Sequence, residues 1–180
     1  GDRIERCVFN AGVGCVTEDF RALQYFSCAN QLVMDGQSSH AWYCRGNKGM
    51  RFAPNPMTAC CPGNVNRIMP NYVLHTWQVT EDALTAKLYG PCRVTGTVNG
   101  KVFSVEETTR YPFDLSLSLS VKTEGSFRLR LRIPAWCSGL HIDRPYTVRH
   151  GYAELNIAGS TEIAVTFDAD IRKEKSAPGV

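Results

Sequence analysis

Two segments, LSLSLSV at residues 115–121 and FRLRLRI at residues 127–133, alternate strictly between apolar and polar side chains. Successive side chains of a β-strand point to opposite faces, so this alternation predicts two strands that each bury one face. The polar stretch 122–126 joins the two segments as a turn. We further predict that the polar phase of the second segment forms a solvated sheet face made of Arg128, Arg130 and Arg132.

The segments around these two predict further strands. Residues 94–98 and 101–108 flank Asn99-Gly100, and an Asn-Gly pair between two alternating runs is the strongest short signal of a β-hairpin. Similar runs predict three more strands, at 84–89, 152–157 and 162–167. About seven or eight short strands without an intervening helix favour an antiparallel, jelly-roll-like β-sandwich over residues 77–180.

Residues 1–76 have a different character, with helical and irregular segments. A first helix is predicted by apolar residues that recur at helical spacing, namely Ile4, Cys7, Val8 and Ala11. Gly12 and Gly14 close this helix. We predict a second helix at about 65–75, which Pro70 kinks or ends, and a long irregular loop at 37–56. The sequence therefore predicts a mixed α and β chain with a domain boundary between residues 76 and 77.

Composition narrows the classes of function. Hydrophobic residues make up 43% of the 180 residues, which is ordinary for a globular protein, and the formal net charge is +3. That charge is small and no run of Lys or Arg stands out, so we expect neither a nucleic-acid nor a membrane partner. The sequence has no run of about 20 apolar residues and no recognisable signal peptide. The location, cytoplasmic or periplasmic, stays open.

The chain contains eight cysteines whose spacing matches no compact disulfide scaffold. We therefore predict free thiols, with Cys92 and Cys137 as thiols of the sandwich. The adjacent pair Cys60-Cys61 is the exception. A disulfide between neighbours is strained because their Cα atoms are only about 3.8 Å apart. Two neighbouring thiolates can instead bind one metal ion, or one of them can be held reactive beside the other.

The residues that follow the pair predict the start of a helix. Pro62 suits a turn or a first helical turn, and Asn64 is a favourable N-cap. The positive end of that helix would lie close to both sulfurs and favour the thiolate form. The alternative is that Cys60 and Cys61 are structural cysteines, which behave as small hydrophobic side chains.

Four short segments carry a family resemblance: ERCVFNAG at 5–12, CCPGNVNR at 60–67, TRYPF at 109–113 and RLRIPAW at 130–136. In this order they resemble glycoside hydrolase family 127, formerly a domain of unknown function, whose founding activity is β-L-arabinofuranosidase. They are similar to the last helices of its catalytic barrel, its cysteine-doublet signature, and two signatures of its first β-sandwich. The resemblance runs from about Ile4 to about Phe167. It implies that residues 1–76 are the C-terminal remnant of an (α/α)6 barrel.

The resemblance implies that Cys60 is the nucleophile of a retaining glycosidase and that Cys61 is a zinc ligand, with Cys60 also contacting the zinc. The implied intermediate is a glycosyl thioether, with cysteine in place of the usual carboxylate. Zinc deprotonates a thiol and can stabilise the departing thiolate. The implied substrate is an oligosaccharide or glycoside that carries a non-reducing-end β-L-arabinofuranoside or a related plant-glycan sugar.

The resemblance places the other functional groups upstream of this chain. They are a glutamate and a third cysteine of a Glu-x-Cys element, which complete the zinc site, and a separate glutamate that acts as general acid/base. Glu5-Arg6-Cys7 has the spacing, but its context matches a later helix, so we assign it no ligand role. We therefore interpret the chain as a fragment that is inactive alone. Its missing partners are the upstream barrel and a downstream second β-sandwich of the same protein.

Two aromatic residues are candidates for contact with a sugar. Tyr25 lies where the family places a substrate-contacting tyrosine, although a packed aromatic is an equal interpretation. Trp42 could stack on the apolar face of a sugar. His40 is interpreted as a solvent-exposed loop residue, and Trp136 as a core residue at the end of the sandwich.

A second class of function remains open, namely a non-catalytic β-sandwich module that supports a barrel or binds carbohydrate. The feature that separates the two is a cleft containing Cys60 and an upstream glutamate. A zinc-ribbon-like structural site is disfavoured, because paired Cys-x-x-Cys knuckles are absent from the sequence.

Overall fold

The computed structural model describes residues 1–27, 51–55, 60–171 and 173. The chain divides into two compact units, one over Asp2–Leu74 and one from His75 onward. Among the described residues, every α-helix belongs to the first unit and every strand of a sheet to the second. None of the described helices is both long and apolar enough to cross a membrane.

The first unit begins with the helix that the sequence predicted. Helix α1 (Asp2–Arg6) continues into a π-helical turn at Cys7–Gly12. The ring of Phe9 packs on the buried Tyr72, with 5.4 Å between ring centroids. Gly12 lies against Ile68, since an added Cβ would come within 3.3 Å of the Ile68 side chain.

The second predicted helix is two helices, α2 (Cys60–Val65) and α3 (Ile68–Leu74). The prediction that Pro70 kinks or ends the helix is correct only in part, since the helical stretch is interrupted at residues 66–67, one turn before Pro70. Pro70 itself is the third residue of α3, and without an N–H it cannot donate to the Asn66 carbonyl, as a continuous helix would require. Most of the predicted loop at 37–56 lies outside the described residues. Of its described part, Ala53 exchanges backbone hydrogen bonds of 3.0 and 3.1 Å with Leu23.

The second unit is built from ten strands: β1 (Trp77–Val79), β2 (Ala83–Ala86), β3 (Cys92–Val98), β4 (Lys101–Thr109), β5 (Ser116–Thr123), β6 (Ser126–Arg132), β7 (Cys137–Ile142), β8 (Thr147–Arg149), β9 (Tyr152–Ala158) and β10 (Thr161–Ala169). They form two five-stranded sheets, in the orders β1-β2-β6-β9-β8 and β3-β4-β5-β10-β7. The predicted β-sandwich is therefore confirmed.

The sequence predicted a wholly antiparallel sandwich, and this prediction is wrong for one pair of strands. Strand β2 pairs with β6 in parallel, with Leu84 opposite Leu129, and the other pairings within both sheets are antiparallel. The chain leaves β2 and builds β3, β4 and β5 of the other sheet before it returns as β6. That long crossover lets two strands of one sheet run in the same direction.

The alternation in β5 and β6 places their apolar side chains in the core, as predicted. Leu117, Leu119 and Val121 are buried in β5, and β6 buries its apolar phase in the same way. The turn between the two strands carries the chain from one sheet to the other rather than closing a hairpin. Across the sheets, Phe103 and Phe127 pack with 5.7 Å between ring centroids.

The predicted hairpin of β3 and β4 is also confirmed. Asn99 and Gly100 both have positive φ angles, 51° and 71°, which is the geometry of the tight turns that match strand twist. The predicted alternation over 84–89 is wrong. All four residues of β2 are buried, and the strand lies between β1 and β6 in its sheet.

The prediction of a solvated arginine face is only partly correct. Arg128 and Arg130 are half-buried, and Arg130 Nε donates to Glu154 Oε1 at 3.0 Å. Arg132 is buried, its Nε donates to the carbonyl of Lys87, and its guanidinium carbon lies 5.6 Å from the centre of the Tyr89 ring. Equal spacing along a strand therefore leads to different environments.

The packing of the two sheets yields a first prediction. Leu129 is fully buried in the middle of β6, so Leu129→Ala should lower the free energy of unfolding by about 2–5 kcal/mol. Val102→Ala, at a position that is 73% exposed, should change it by less than about 0.5 kcal/mol. Urea denaturation of the chain measures both variants. A similar loss for both would mean that the sheets do not pack through β6.

Candidate functional site

The cysteine pair occupies the first two described positions of α2. The sulfur atoms of Cys60 and Cys61 lie 3.9 Å apart, and both are free thiols. Cys60 is exposed to solvent, whereas Cys61 is half-buried. One sulfur is thus open to an incoming molecule, and the other is set further into the unit.

The local helix geometry differs from the prediction. Asn64 is not an N-cap, because it lies inside α2 and its carbonyl accepts the N–H of Arg67 at 3.0 Å. Pro62 is the third residue of the described helix, and its carbonyl accepts the side-chain N–H of Asn66 at 3.0 Å. Asn71 in turn donates its side-chain amide to the Arg67 carbonyl at 2.8 Å. Asparagine side chains therefore fix the turn that follows the cysteine pair.

The predicted preference of both sulfurs for the thiolate form is wrong for Cys61. Burial raises the pKa of the Cys61 thiol, and its hydrogen bond with Cys60 and the nearby sulfurs of Cys60 and Cys15 raise it further. Cys15 is a neighbour that sequence reasoning missed. Its thiol donates to the Gly12 carbonyl at 3.1 Å, and burial raises its pKa. No local pattern could have revealed it, because 45 residues separate it from Cys60 along the chain.

The spacing of the two sulfurs fits a tetrahedral metal centre. With zinc–sulfur bonds of about 2.3 Å, two sulfur ligands of tetrahedral zinc are about 3.8 Å apart. The observed 3.9 Å between Cys60 and Cys61 matches that edge without any rearrangement. Within residues 1–27, 51–55, 60–171 and 173, no cluster of three or more His, Cys, Asp or Glu side chains could hold a metal ion.

The other sequence candidates are less informative. Tyr25 is half-buried and packs edge-on against Phe26, with 4.5 Å between ring centroids. Trp42 and His40 lie outside the described residues, so their predicted roles stay predictions. Trp136 packs against Tyr111 and Phe167, at 6.3 and 5.9 Å between ring centroids, which confirms its place at the end of the sandwich core.

A second cluster of polar groups lies inside the sandwich and was not predicted. Glu107 is only 2% exposed, accepts the backbone N–H of Gly90 at 3.0 Å, and lies 3.8 Å from the Cys92 sulfur. Burial raises the pKa of Glu107 to about 7, although the Gly90 N–H works against this. The Trp77 indole N–H also lowers the pKa slightly, yet its nitrogen makes no hydrogen bond of good geometry.

The sequence did contain a signal for this cluster. Along β4, Phe103, Val105 and Glu107 share one phase of the alternation, and the first two are buried. A carboxyl group on the buried phase of a strand is costly unless it is hydrogen-bonded or protonated. Glu107 satisfies the Gly90 N–H and holds a proton near neutral pH. Burial of the Cys92 thiol raises its pKa, and the nearby Glu107 carboxylate raises it further.

Comparison with known proteins relates the β-sandwich to a domain of glycoside hydrolases. Residues 83–170 match the family profile described as β-L-arabinofuranosidase, GH127 middle domain. This part of the chain, which lies within the β-sandwich, therefore matches the middle domain of glycoside hydrolase family 127. No curated protein sequence matches the chain.

Solved structures that are similar to the chain include three glycoside hydrolases. Ara127N-Se, a GH127 β-L-arabinofuranosidase from Geobacillus stearothermophilus T6, is 28% identical, with a TM-score of 0.59 over 67% of this chain and 21% of its own length. A glycoside hydrolase is 20% identical, with a TM-score of 0.70 over 91% of this chain and 28% of its own. A GH127 β-arabinofuranosidase is 22% identical, with a TM-score of 0.66 over 93% of this chain and 28% of its own length. The last two show a shared fold alone. The chain spans less than a third of the length of each relative.

The buried carboxyl group predicts a pH-dependent stability. Glu107 keeps its proton up to about pH 7 in the folded chain, against a value of 4.5 for a free side chain. The folded state therefore binds more protons between these limits, and the free energy of unfolding falls as pH rises through this window. Glu107→Gln should remove this pH dependence. The free energy of unfolding of the variant, relative to that of the unaltered chain, should therefore increase by roughly 2–3 kcal/mol between pH 5 and pH 8.

Glu106→Gln is the matched control for this experiment, since Glu106 is exposed on the same strand and pairs with Arg93 at 2.7 Å. Urea denaturation at pH 5 and pH 8 measures all three proteins. An equal dependence on pH in the Glu107 and Glu106 variants would show that Glu107 is charged in the folded state at pH 5.

Proposed function

We propose that this chain is part of a retaining, zinc-dependent glycoside hydrolase in which Cys60 is the nucleophile. The proposed substrate is a non-reducing-end β-L-arabinofuranoside or a related plant-glycan sugar. The match to the family 127 middle domain supports the class of reaction, and the similarity to the β-L-arabinofuranosidase from Geobacillus stearothermophilus T6 supports the sugar. The observation that carries the cysteine role is the pair of sulfurs 3.9 Å apart, one exposed and one half-buried.

The domain assignment is part of this proposal. We assign residues 1–76 to the C-terminal part of an (α/α)6 catalytic barrel and residues 77–180 to the β-sandwich that follows it. The helices α1, α2 and α3 all precede residue 75, which supports the assignment. The much greater length of the similar structures supports partners within the same protein, namely an upstream barrel and a downstream second β-sandwich.

The exposed thiol of Cys60 is suited to the first chemical step. Its sulfur would attack the anomeric carbon, forming a carbon–sulfur bond as the glycosidic carbon–oxygen bond breaks. The leaving oxygen takes a proton from the upstream general acid, a glutamate. Water, deprotonated by the same glutamate, then attacks the anomeric carbon from the face opposite the sulfur, and the carbon–sulfur bond breaks as its electron pair returns to Cys60 as thiolate. Two inversions at one carbon give net retention.

Cys61 would hold the metal beside the nucleophile, with Cys60 as a second sulfur ligand and an upstream Glu-x-Cys element supplying the others. Zinc, when bound, lowers the pKa of a coordinated thiol and improves a thiolate as a leaving group. Burial raises the pKa of the Cys61 thiol, and zinc, when bound, would offset this by stabilising the thiolate. Tyr25 and Trp42 are proposed to contact the sugar.

In this proposal the β-sandwich supports the barrel and the isolated chain is inactive. The alternative is that the whole chain acts as a non-catalytic module. The match of the family profile to the sandwich alone is the observation that favours this alternative.

The nucleophile role is tested in the longer protein that contains this chain. Cys60→Ala and Cys60→Ser should each lower kcat/KM on an aryl β-L-arabinofuranoside at least about 1,000-fold, because neither side chain can form the thioether. Cys7→Ser, at an exposed cysteine of the same unit, should retain activity. Circular dichroism checks that the variants are folded. Normal turnover by either Cys60 variant would remove cysteine from the mechanism.

The metal role is tested by a measurement that does not depend on turnover. Elemental analysis of the longer protein, after dialysis under reducing conditions, should find about one zinc per chain. Cys61→Ser should lose most of it, because a hydroxyl group is a far poorer zinc ligand than a thiolate. Cys7→Ser is again the control. Full zinc occupancy in the Cys61 variant would mean that Cys61 is a structural thiol.

A further inference from the structure

The outward face of the sheet that contains β6, β9 and β8 holds a cavity of about 550 Å³. We call it the arginine groove and define it by six of the residues that line it: Arg128, Arg144, Tyr146, Arg149, Glu154 and Asn156. Its size lies within the range of about 300–1,000 Å³ that is usual for small-ligand sites.

Strand register brings the floor of the groove together. Arg128 of β6 lies opposite Asn156 of β9, and Glu154 of β9 lies opposite Thr147 of β8. Between them, Leu155 points into the core, so the polar side chains of these strands face outward. The segment that leads into β8 supplies Arg144 and Tyr146 as a wall.

The charges of the groove favour an anion. Arg149 is exposed and has no ion-pair partner among the residues that the structure describes. Arg144 donates to a carbonyl, that of Glu162, at 3.0 Å, which positions the guanidinium without neutralising it. Arg128 forms a long ion pair with Asp82, with 3.7 Å between Nη1 and Oδ2, and both side chains are about half exposed. Such exposed pairs contribute little and are easily exchanged.

The acidic residue of the groove is already neutralised. Glu154 accepts from Arg130 Nε at 3.0 Å, and its side chain is only 14% exposed. The guanidinium groups of Arg144 and Arg149 therefore face the cavity with no carboxylate of the groove to balance them. A guanidinium presents a planar fork of donors that matches a carboxylate with two parallel hydrogen bonds.

The remaining residues suit a sugar rather than an inorganic ion. Asn156 is exposed and offers both a donor and an acceptor, as hydroxyl groups require. The Tyr146 hydroxyl donates to the Leu140 carbonyl at 2.9 Å, which fixes the orientation of its half-buried ring as an apolar surface. We propose that the arginine groove binds a carboxylated oligosaccharide.

A nucleic acid is the less favoured occupant. Recognition of a phosphate backbone needs a basic track with several phosphate contacts, and the chain has a formal net charge of only +3. The groove is confined to one end of one sheet, and Asp82 and Glu154 lie beside its arginines. The proposal stands on the geometry of the sandwich and does not depend on the activity of the longer protein.

Isothermal titration of the full 180-residue chain with trigalacturonate tests the proposal, and neutral galactotriose is the uncharged comparison. Trigalacturonate should bind, and galactotriose should bind at least about tenfold more weakly. Arg149→Gln and Arg144→Gln should each weaken trigalacturonate binding about tenfold, as expected for loss of one charge-assisted contact. Arg93→Gln removes the same charge from β3 in the other sheet and should change the affinity less than twofold.

Any of the following four results would overturn the proposal. Absence of trigalacturonate binding at millimolar concentration would do so, as would equal binding of galactotriose. Equal weakening by Arg93→Gln would show that only the net charge matters. A single-stranded oligonucleotide that displaces trigalacturonate at a lower concentration would identify a general polyanion surface. Urea midpoints of the variants, all at exposed positions, confirm that the sandwich remains folded.

Discussion

The rest of the sandwich depends on the contact between the inner faces of its two sheets. Phe103 and Phe127 meet across them, and both rings are almost completely buried. The Phe103 ring needs a neighbour without a side chain, because a Cβ at Gly96 would come within 3.1 Å of it. Close packing of this kind leaves little room for change, so each strand must present its apolar phase inward. The sequence obeys this in β5, β6, β9 and β10.

Two ionisable side chains break the pattern, and both bond to the same segment of backbone. Arg132 and Glu107 are buried, and they bond the backbone of Lys87 and Gly90 respectively. The segment between β2 and β3 has no strand partner for these groups, and buried backbone groups must find one. A rule that places charged residues outside therefore fails at this end of the sandwich, for a reason that involves residues far apart in sequence.

Much of the fold could be predicted because its signals are local. The Asn99-Gly100 turn fixes a hairpin register by itself, and strict alternation identifies a strand within seven residues. The strands that the sequence did not predict, β1, β7 and β8, are edge strands, which need bury less and carry weaker patterns. The parallel pairing of β2 and β6 depends on a crossover through the other sheet, which no local pattern encodes.

The candidate site divides in the same way. Cys60 and Cys61 are adjacent in the sequence, so the hypothesis of a shared metal ion needs no knowledge of the fold. The structure adds the distance of 3.9 Å between their sulfur atoms. The nearness of Cys15, which opposes ionisation of Cys61, depends on the folded chain. The three arginines of β6 make the same point more sharply. Arg132 donates to a buried backbone carbonyl, Arg130 neutralises Glu154, and Arg128 lines a cavity. Their neighbours on β9 and on the segment after β2 decide these roles. The pattern that predicted a uniform solvated face therefore concealed both a structural contact and the floor of a binding site.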